Sequence, residues 1–223
     1  MIQKYPVGIQ DFEQIRVENF LYVDKTEFVY NLANIGGYYF LSRPRRFGKS
    51  LLISTLESMF LGKKELFAGL YIEDKWDWGV TYPIIRISFS NIGHKEKGLY
   101  KAIEDELDKI AKQNEIVFKD TVISGKLKEL IEKLSAARGK VVVLIDEYDK
   151  PIIDFLGDQT EKALESRDIM KSFYSVLKDA DPHLKLVFIT GVSKFSRLSI
   201  FSDLNNLTDI TIDAHFGAIC GIS

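Results

Sequence analysis

Cysteine is almost missing from this chain. Cys220 is the one cysteine in 223 residues, which excludes an intrachain disulfide framework and suits a reducing compartment. With no base beside it in the sequence, that thiol reads as a buried or terminal residue, not a nucleophile. An excess of either charge is missing too. A formal net charge of -2 provides no broad pull toward nucleic acid or membrane. No run approaches the roughly 18 consecutive apolar residues that a spanning helix needs. The opening Met1-Ile2-Gln3-Lys4-Tyr5-Pro6 lacks the apolar centre of a signal peptide. These absences lead to an expected cytoplasmic location. Repeats and low-complexity tracts are also lacking. What remains is ordinary globular composition, 46% hydrophobic and 28% charged, at a length that suits one α/β domain.

The chain is organised around Tyr38-Tyr39-Phe40-Leu41-Ser42-Arg43-Pro44-Arg45-Arg46-Phe47-Gly48-Lys49-Ser50-Leu51-Leu52. An apolar strand runs through a short loop into a helix. The loop ends in Gly-Lys-Ser, the second half of a phosphate-binding loop. Backbone N–H groups at a helix N-terminus attract an anion, and the helix dipole adds to that attraction. Gly48 allows close backbone approach, Lys49 reaches the β- and γ-phosphates, and Ser50 offers a hydroxyl to Mg²⁺. The candidate nucleotide-binding set is Arg43, Arg45, Arg46, Phe47, Gly48, Lys49, Ser50 and Leu51. The full pattern has a glycine where Arg43 stands, so the turn out of the strand must be made differently, with help from Pro44. An ordinary strand–loop–helix is the competing reading.

A second stretch adds weight. Lys140-Val141-Val142-Val143-Leu144-Ile145-Asp146-Glu147-Tyr148-Asp149 is an unbroken apolar run ending in acids. Such a run is the signature of a strand buried on both faces of a parallel sheet. Ligands in such sheets bind at the carboxyl ends of strands, where these acids stand. This is a Walker B pattern beside a Walker A loop, with Asp146 near Mg²⁺ and Glu147 polarising an attacking water.

Periodicity supplies the remaining elements. Residues 1–37 form an N-terminal flap, with Leu21-Tyr22-Val23 as a short strand and a helix from Lys25 to about Asn34 capped by Asp24 and Glu27. Ile9, Phe12 or Lys25 are candidates to contact a nucleobase. Helices are expected over 49–60, about 96–114, 121–138 and 167–180, and a polar loop over 157–166. The tryptophans Trp76 and Trp78 are expected to pack against the sheet edge. Strands are expected near 38–42, 84–89, 141–146, 184–190 and 209–212. The chain ends at Cys220-Gly221-Ile222-Ser223 without a closing helix, which reads as an end inside a longer protein.

The motifs together resemble the AAA-ATPase-like family of bacterial and archaeal proteins. They are Pro6-x-Gly8-x-x-x-Phe12-Glu13, Tyr22-Val23-Asp24-Lys25-Thr26, Arg43 to Ser50, Ile145 to Pro151, Thr190-Gly191-Val192-Ser193-Lys194-Phe195-Ser196 and Asn205-Asn206-Leu207-x-Asp209-Ile210. The resemblance covers essentially the whole chain, and the glycine-poor loop belongs to the family's pattern. It implies a three-layer P-loop NTPase sandwich, α/β, with a mainly parallel five-stranded sheet in the order fifth, first, fourth, third, second. In such ATPases the strand inserted between the two Walker strands ends in a polar sensor, here Thr190 or Ser193. Lys194 or Arg197 would supply a cation to the transition state, in cis or across the interface of a homo-oligomer. A nuclease-like domain of the PD-(D/E)XK type usually follows the ATPase domain.

The expected function is Mg²⁺-dependent ATP binding and hydrolysis, regulating an attached nuclease-like or partner domain. Lys49, Glu147, Thr190 and Arg197 are the catalytic candidates; Ser50 and Asp146 are the metal ligands. The alternative is a nucleotide-dependent switch with little turnover. A small-molecule kinase would need an acceptor pocket and an arginine-rich lid, and no such lid follows the fourth strand. Nucleic-acid contact through Arg43–Arg46 and Lys194–Arg197 has no support from the net charge.

Overall fold

The computed structural model describes residues 3–157, 159–193, 200, 201, 204 and 206–221. In chain order the elements are α1 (Phe12–Val17), α2 (Thr26–Ile35), β1 (Gly37–Ser42), α3 (Lys49–Phe60), β2 (Ile84–Ser88), α4 (His94–Lys97), α5 (Leu99–Gln113), α6 (Ile123–Arg138), β3 (Val141–Asp146), α7 (Lys150–Ile153), α8 (Thr160–Asp179), β4 (Leu184–Gly191) and β5 (Leu207–Asp209). The five strands form one sheet in the order β2-β3-β4-β1-β5, every pair parallel. Read from its other edge, this is the expected order.

Side-chain alternation along the strands builds the three layers. Val141, Val143 and Ile145 join one core with α5, α6 and α8. Val142 and Leu144 join a second core with α2 and α3. In β4, Val187 and Ile189 face the first core while Leu186 and Phe188 face the second. All six β3 residues are buried. Each large apolar side chain so buried contributes about 1.5–3 kcal/mol, so this strand is the spine of both cores. The same parity places Asp146 and Thr190, in register at the strand ends, on the face of α3.

Several local expectations are corrected. Leu21-Tyr22-Val23 is not a strand, and a short helix, α1, stands before it. Asp11 caps α1, accepting from the Gln14 N–H at 2.7 Å. Asp24 does not occupy the cap position of α2; Lys25 does, with no side-chain bond. The Asp24 carboxylate instead accepts from the Thr26 N–H (2.8 Å) and hydroxyl (2.7 Å) and from the Tyr71 N–H (2.7 Å), pinning the helix start to the turn at Tyr71. Gly98, at φ 80°, divides the helix expected over 96–114 into α4 and α5. The polar stretch after 157 is largely helix, because α8 begins at Thr160. Ala163 and Ser166 extend the buried stripe of Met170, Phe173 and Leu177, while the polar residues take the solvent face.

The last strand lies earlier than expected. Leu207, Thr208 and Asp209 pair with Tyr38, Tyr39 and Phe40. Thr211 leaves the ladder and accepts the Ser42 N–H on its hydroxyl at 3.0 Å, and Ile212 is exposed. The tryptophans, expected against the sheet edge, pack instead on aromatic side chains of the second core, Trp76 edge-on to Phe60 at the end of α3 and Trp78 tilted over Phe67. Among the described residues no helix is long and apolar enough to cross a membrane.

Two buried side-chain polar atoms have no hydrogen-bond partner among the described residues, Trp76 Nε1 and the Tyr174 hydroxyl. The hydroxyl of fully buried Tyr174 on α8 makes no hydrogen bond, and burial raises its pKa well above the ordinary tyrosine range. An unmet buried hydroxyl costs about 1–3 kcal/mol. Tyr174→Phe is therefore expected to stabilise the protein by about 1 kcal/mol, which a thermal melt would read as a rise of about 2–4 °C.

Candidate functional site

The loop between β1 and α3 is shaped by two left-handed residues, Arg46 (φ 65°) and Gly48 (φ 86°). Glycine adopts this backbone freely, whereas arginine does so at a cost of about 1 kcal/mol or more. Without a glycine at position 43, the loop's start is anchored instead. The Arg43 N–H donates to the Gly191 carbonyl at 3.1 Å. Its guanidinium donates to the carbonyls of Ser42 and Thr211. That side chain ties β1 to the turn after β5 and does not line the cleft described next. Arg45 does not line it either.

That cleft, about 470 Å³, is walled on one side by Arg46, Gly48, Lys49, Ser50 and Leu51. The N-terminal segment Pro6 to Gln10 forms the other side, and Glu147 reaches in from the end of β3. An adjoining apolar cleft of about 360 Å³ shares Pro6, Ile9, Arg46, Gly48 and Leu51, and adds Phe47, Lys25 and the C-terminal Ile219 to Gly221. Both volumes suit a small ligand of the roughly 300–1,000 Å³ class. Of the candidate base contacts, Ile9 and Lys25 line the apolar cleft. Phe12 does not; it is buried in the core between Tyr22 and Phe67. Burial pushes the Cys220 thiol up to about 11, which makes it a poor nucleophile at neutral pH. A larger groove, about 540 Å³, lies apart beside α5 and α6. Lys126 there is already paired with Glu104 and Asp108.

Lys49 is 5% exposed. Its Nζ donates to the carbonyls of Arg43 (2.8 Å) and Pro44 (3.0 Å). Burial lowers its pKa, against the pull of Asp146, Glu147 and Asp149, whose charges favour the ammonium. Beneath the cleft, the buried Thr190 hydroxyl donates to Asp146 Oδ1 at 2.5 Å. Glu147 leaves the strand with a left-handed backbone, φ 53°, and its carboxylate accepts a bond from the Ser90 hydroxyl, just beyond the end of β2. No group of three or more His, Cys, Asp or Glu side chains among the described residues could hold a metal by itself. Lys194 and Arg197 lie outside the described residues.

Three members of the site escaped sequence reading. Ser90 stood in an unremarkable loop; its signal was its place at the carboxyl end of a strand. Asp149 closes the acidic run, where no local pattern marks it out. Its Oδ2 accepts from the Val192 N–H (3.0 Å), the Ser193 N–H (2.7 Å) and the Ser193 hydroxyl (2.5 Å). Tyr148, fully buried, donates from its N–H to the Thr190 carbonyl at 3.0 Å and from its hydroxyl to the Ser193 carbonyl at 3.0 Å. A Cβ at Gly191 would lie 2.4 Å and 2.6 Å from the Tyr148 ring and 3.0 Å from Asp149 Oδ1.

A family model described as "Predicted AAA-ATPase" matches residues 6–201. An "Uncharacterized protein in vnfD 5'region" of Azotobacter chroococcum mcd 1 is 45% identical over 228 aligned residues, covering 98% of this chain and 43% of the relative. The chain thus spans less than half of that relative's length. Among solved structures, the Aeropyrum pernix ORC1 protein in complex with DNA matches with a TM-score of 0.42 at 15% identity, over 83% of this chain and 43% of that one.

Gly191→Ala is expected to force Tyr148 and β4 apart, at a cost of about 1–3 kcal/mol for overpacking. Urea denaturation would record it as a lower midpoint with an unchanged slope.

Proposed function

The chain belongs to the predicted AAA-ATPase family, and from that premise we propose that it binds ATP with Mg²⁺ and hydrolyses it. The observation that carries this reading is the convergence of Lys49, Ser50 and Glu147 on one cleft, from two different strand ends.

Lys49 and the amides of the Gly48 turn bind the phosphates; the lysine acts as a compact positive charge. Ser50 and Asp146 would hold Mg²⁺. One hydroxyl and one carboxylate, with the other positions left to phosphate oxygens and water, form a donor set this ion accepts. When bound, the ion neutralises charge on the phosphate oxygens. Thr190 fixes the rotation of the Asp146 carboxylate through its hydrogen bond. Glu147 orients water for in-line attack on the γ-phosphate and takes its proton. Arg197 is assigned the cation that complements the transition state, by resemblance alone. The apolar cleft receives the base, with Ile9 and Lys25 on its wall. Turnover regulates a nuclease-like domain elsewhere in a longer, cytoplasmic protein; the greater length of the relative is in keeping with this.

A second reading, a nucleotide-dependent switch with little turnover, is favoured by one observation. The Glu147 carboxylate already accepts a hydrogen bond from Ser90, which holds it as a latch would.

Calorimetric titration of ATP with Mg²⁺ and phosphate release on the same samples test both readings. A hydrogen bond to a charged group is worth about 1.5–3 kcal/mol, so Lys49→Ala is expected to weaken ATP binding at least about tenfold. Glu147→Gln is expected to bind within a few-fold of wild type and to lose about 100-fold or more in turnover. Normal ATP binding by a folded Lys49→Ala protein would refute the site. Tight binding by the wild type without phosphate release would favour the switch.

A further inference from the structure

We propose that Asp149 is a positioning residue for hydrolysis: its carboxylate fixes the chain leaving β4 and thereby sets the Thr190 hydroxyl against Asp146. The inference rests on the ATPase reading.

Asp149 is 1% exposed and does not line the cleft, so it has no direct access to nucleotide. A carboxylate so placed costs several kcal/mol unless donors surround it. Here one oxygen takes all three bonds, from Val192 and Ser193. An apolar side chain could close the same gap without the desolvation cost. What the carboxylate adds is direction, since three donors converging on one oxygen fix the backbone of Val192 and Ser193.

That backbone continues directly from Thr190. Tyr148, next to Asp149, grips the same segment from its N–H and its hydroxyl. Gly191 has no side chain where the Tyr148 ring and Asp149 press against it. The acidic stretch therefore holds residues 190–193 at each position, and within that segment Thr190 hydrogen-bonds a metal candidate, Asp146. A displacement of about 1 Å in such a contact can cost about 100-fold in rate.

The test is steady-state ATP hydrolysis by the whole chain carrying Asp149→Ala, Asp149→Asn or Ser193→Ala, with melting temperatures measured alongside. Asp149→Ala is expected to lower kcat at least about tenfold while KM for ATP stays within about threefold. Asp149→Asn keeps an oxygen for the same donors and is expected to recover most of kcat. Should Asp149→Ala fail to fold, Ser193→Ala carries the test: kcat falls several-fold with KM held. Wild-type kcat in a folded Asp149→Ala, or in Ser193→Ala, would reduce the contact to simple bracing and overturn the proposal. So would a loss in Asp149→Asn as large as in Asp149→Ala, or a change confined to KM. In each case wild-type turnover would leave the ATPase reading intact. A wild type that releases no phosphate would overturn both.

Discussion

The structure depends on the hydrogen bond between Thr190 and Asp146, and on the parallel register that makes it possible. Ile145 pairs with Ile189, so the next residues along, Asp146 and Thr190, meet at the strand ends. Both are buried. A buried carboxylate and a buried hydroxyl each incur a desolvation cost that the other offsets. A slip of β3 by one residue would turn Asp146 away from Thr190 and onto the face where β4 presents Val187 and Ile189. The register is therefore enforced twice, by the apolar alternation of β3 and β4 and by the polar pair that ends it.

The loop at Gly48 is bound to the same strand ends. The Arg43 N–H bonds to Gly191, and the Ser42 hydroxyl donates to the Val192 carbonyl at 2.9 Å. Residues 190–193 thus touch the phosphate-type loop on one side and the acidic run on the other. A glycine at position 43 would give the chain more freedom in the turn. Arg43 takes the opposite course, spending its guanidinium on backbone carbonyls and removing that freedom. This accounts for a loop that departs from the usual pattern yet still presents Lys49 and Ser50 at the start of α3.

Much of this was legible in the sequence, for reasons tied to particular residues. An unbroken Val-Val-Val-Leu-Ile run has few uses other than a strand covered on both faces, and β3 falls at its expected bounds. The 3.6 period of α3 and the Gly48-Lys49-Ser50 start were equally plain. Less legible was anything set by partners distant in sequence. The start of α8 was hidden because polar residues dominate 157–166, and only the later stripe shows Ala163 and Ser166 to be its continuation. β5 was placed late because Ile210 and Ile212 look like strand residues, whereas pairing with Tyr38 to Phe40 selects Leu207 to Asp209. Asp149 and Ser90 were missed because a side chain's partners across a sheet are set by topology, which local pattern does not encode.

The backbone at Glu147 shows how the site's demands override local preference. Continued strand geometry would put Glu147 on the same face as Ile145 and Val143, in the core formed with α5, α6 and α8. An unpaired carboxylate there would cost several kcal/mol. The left-handed turn at φ 53° costs about 1–2 kcal/mol and ends the strand just after Asp146. It sends the carboxylate toward Ser90 at the end of the neighbouring strand instead. The smaller cost is accepted to avoid the larger one. Adjacent acids of one strand end face different partners, Asp146 toward β4 and Glu147 toward β2, so the two carboxylates are held by independent contacts.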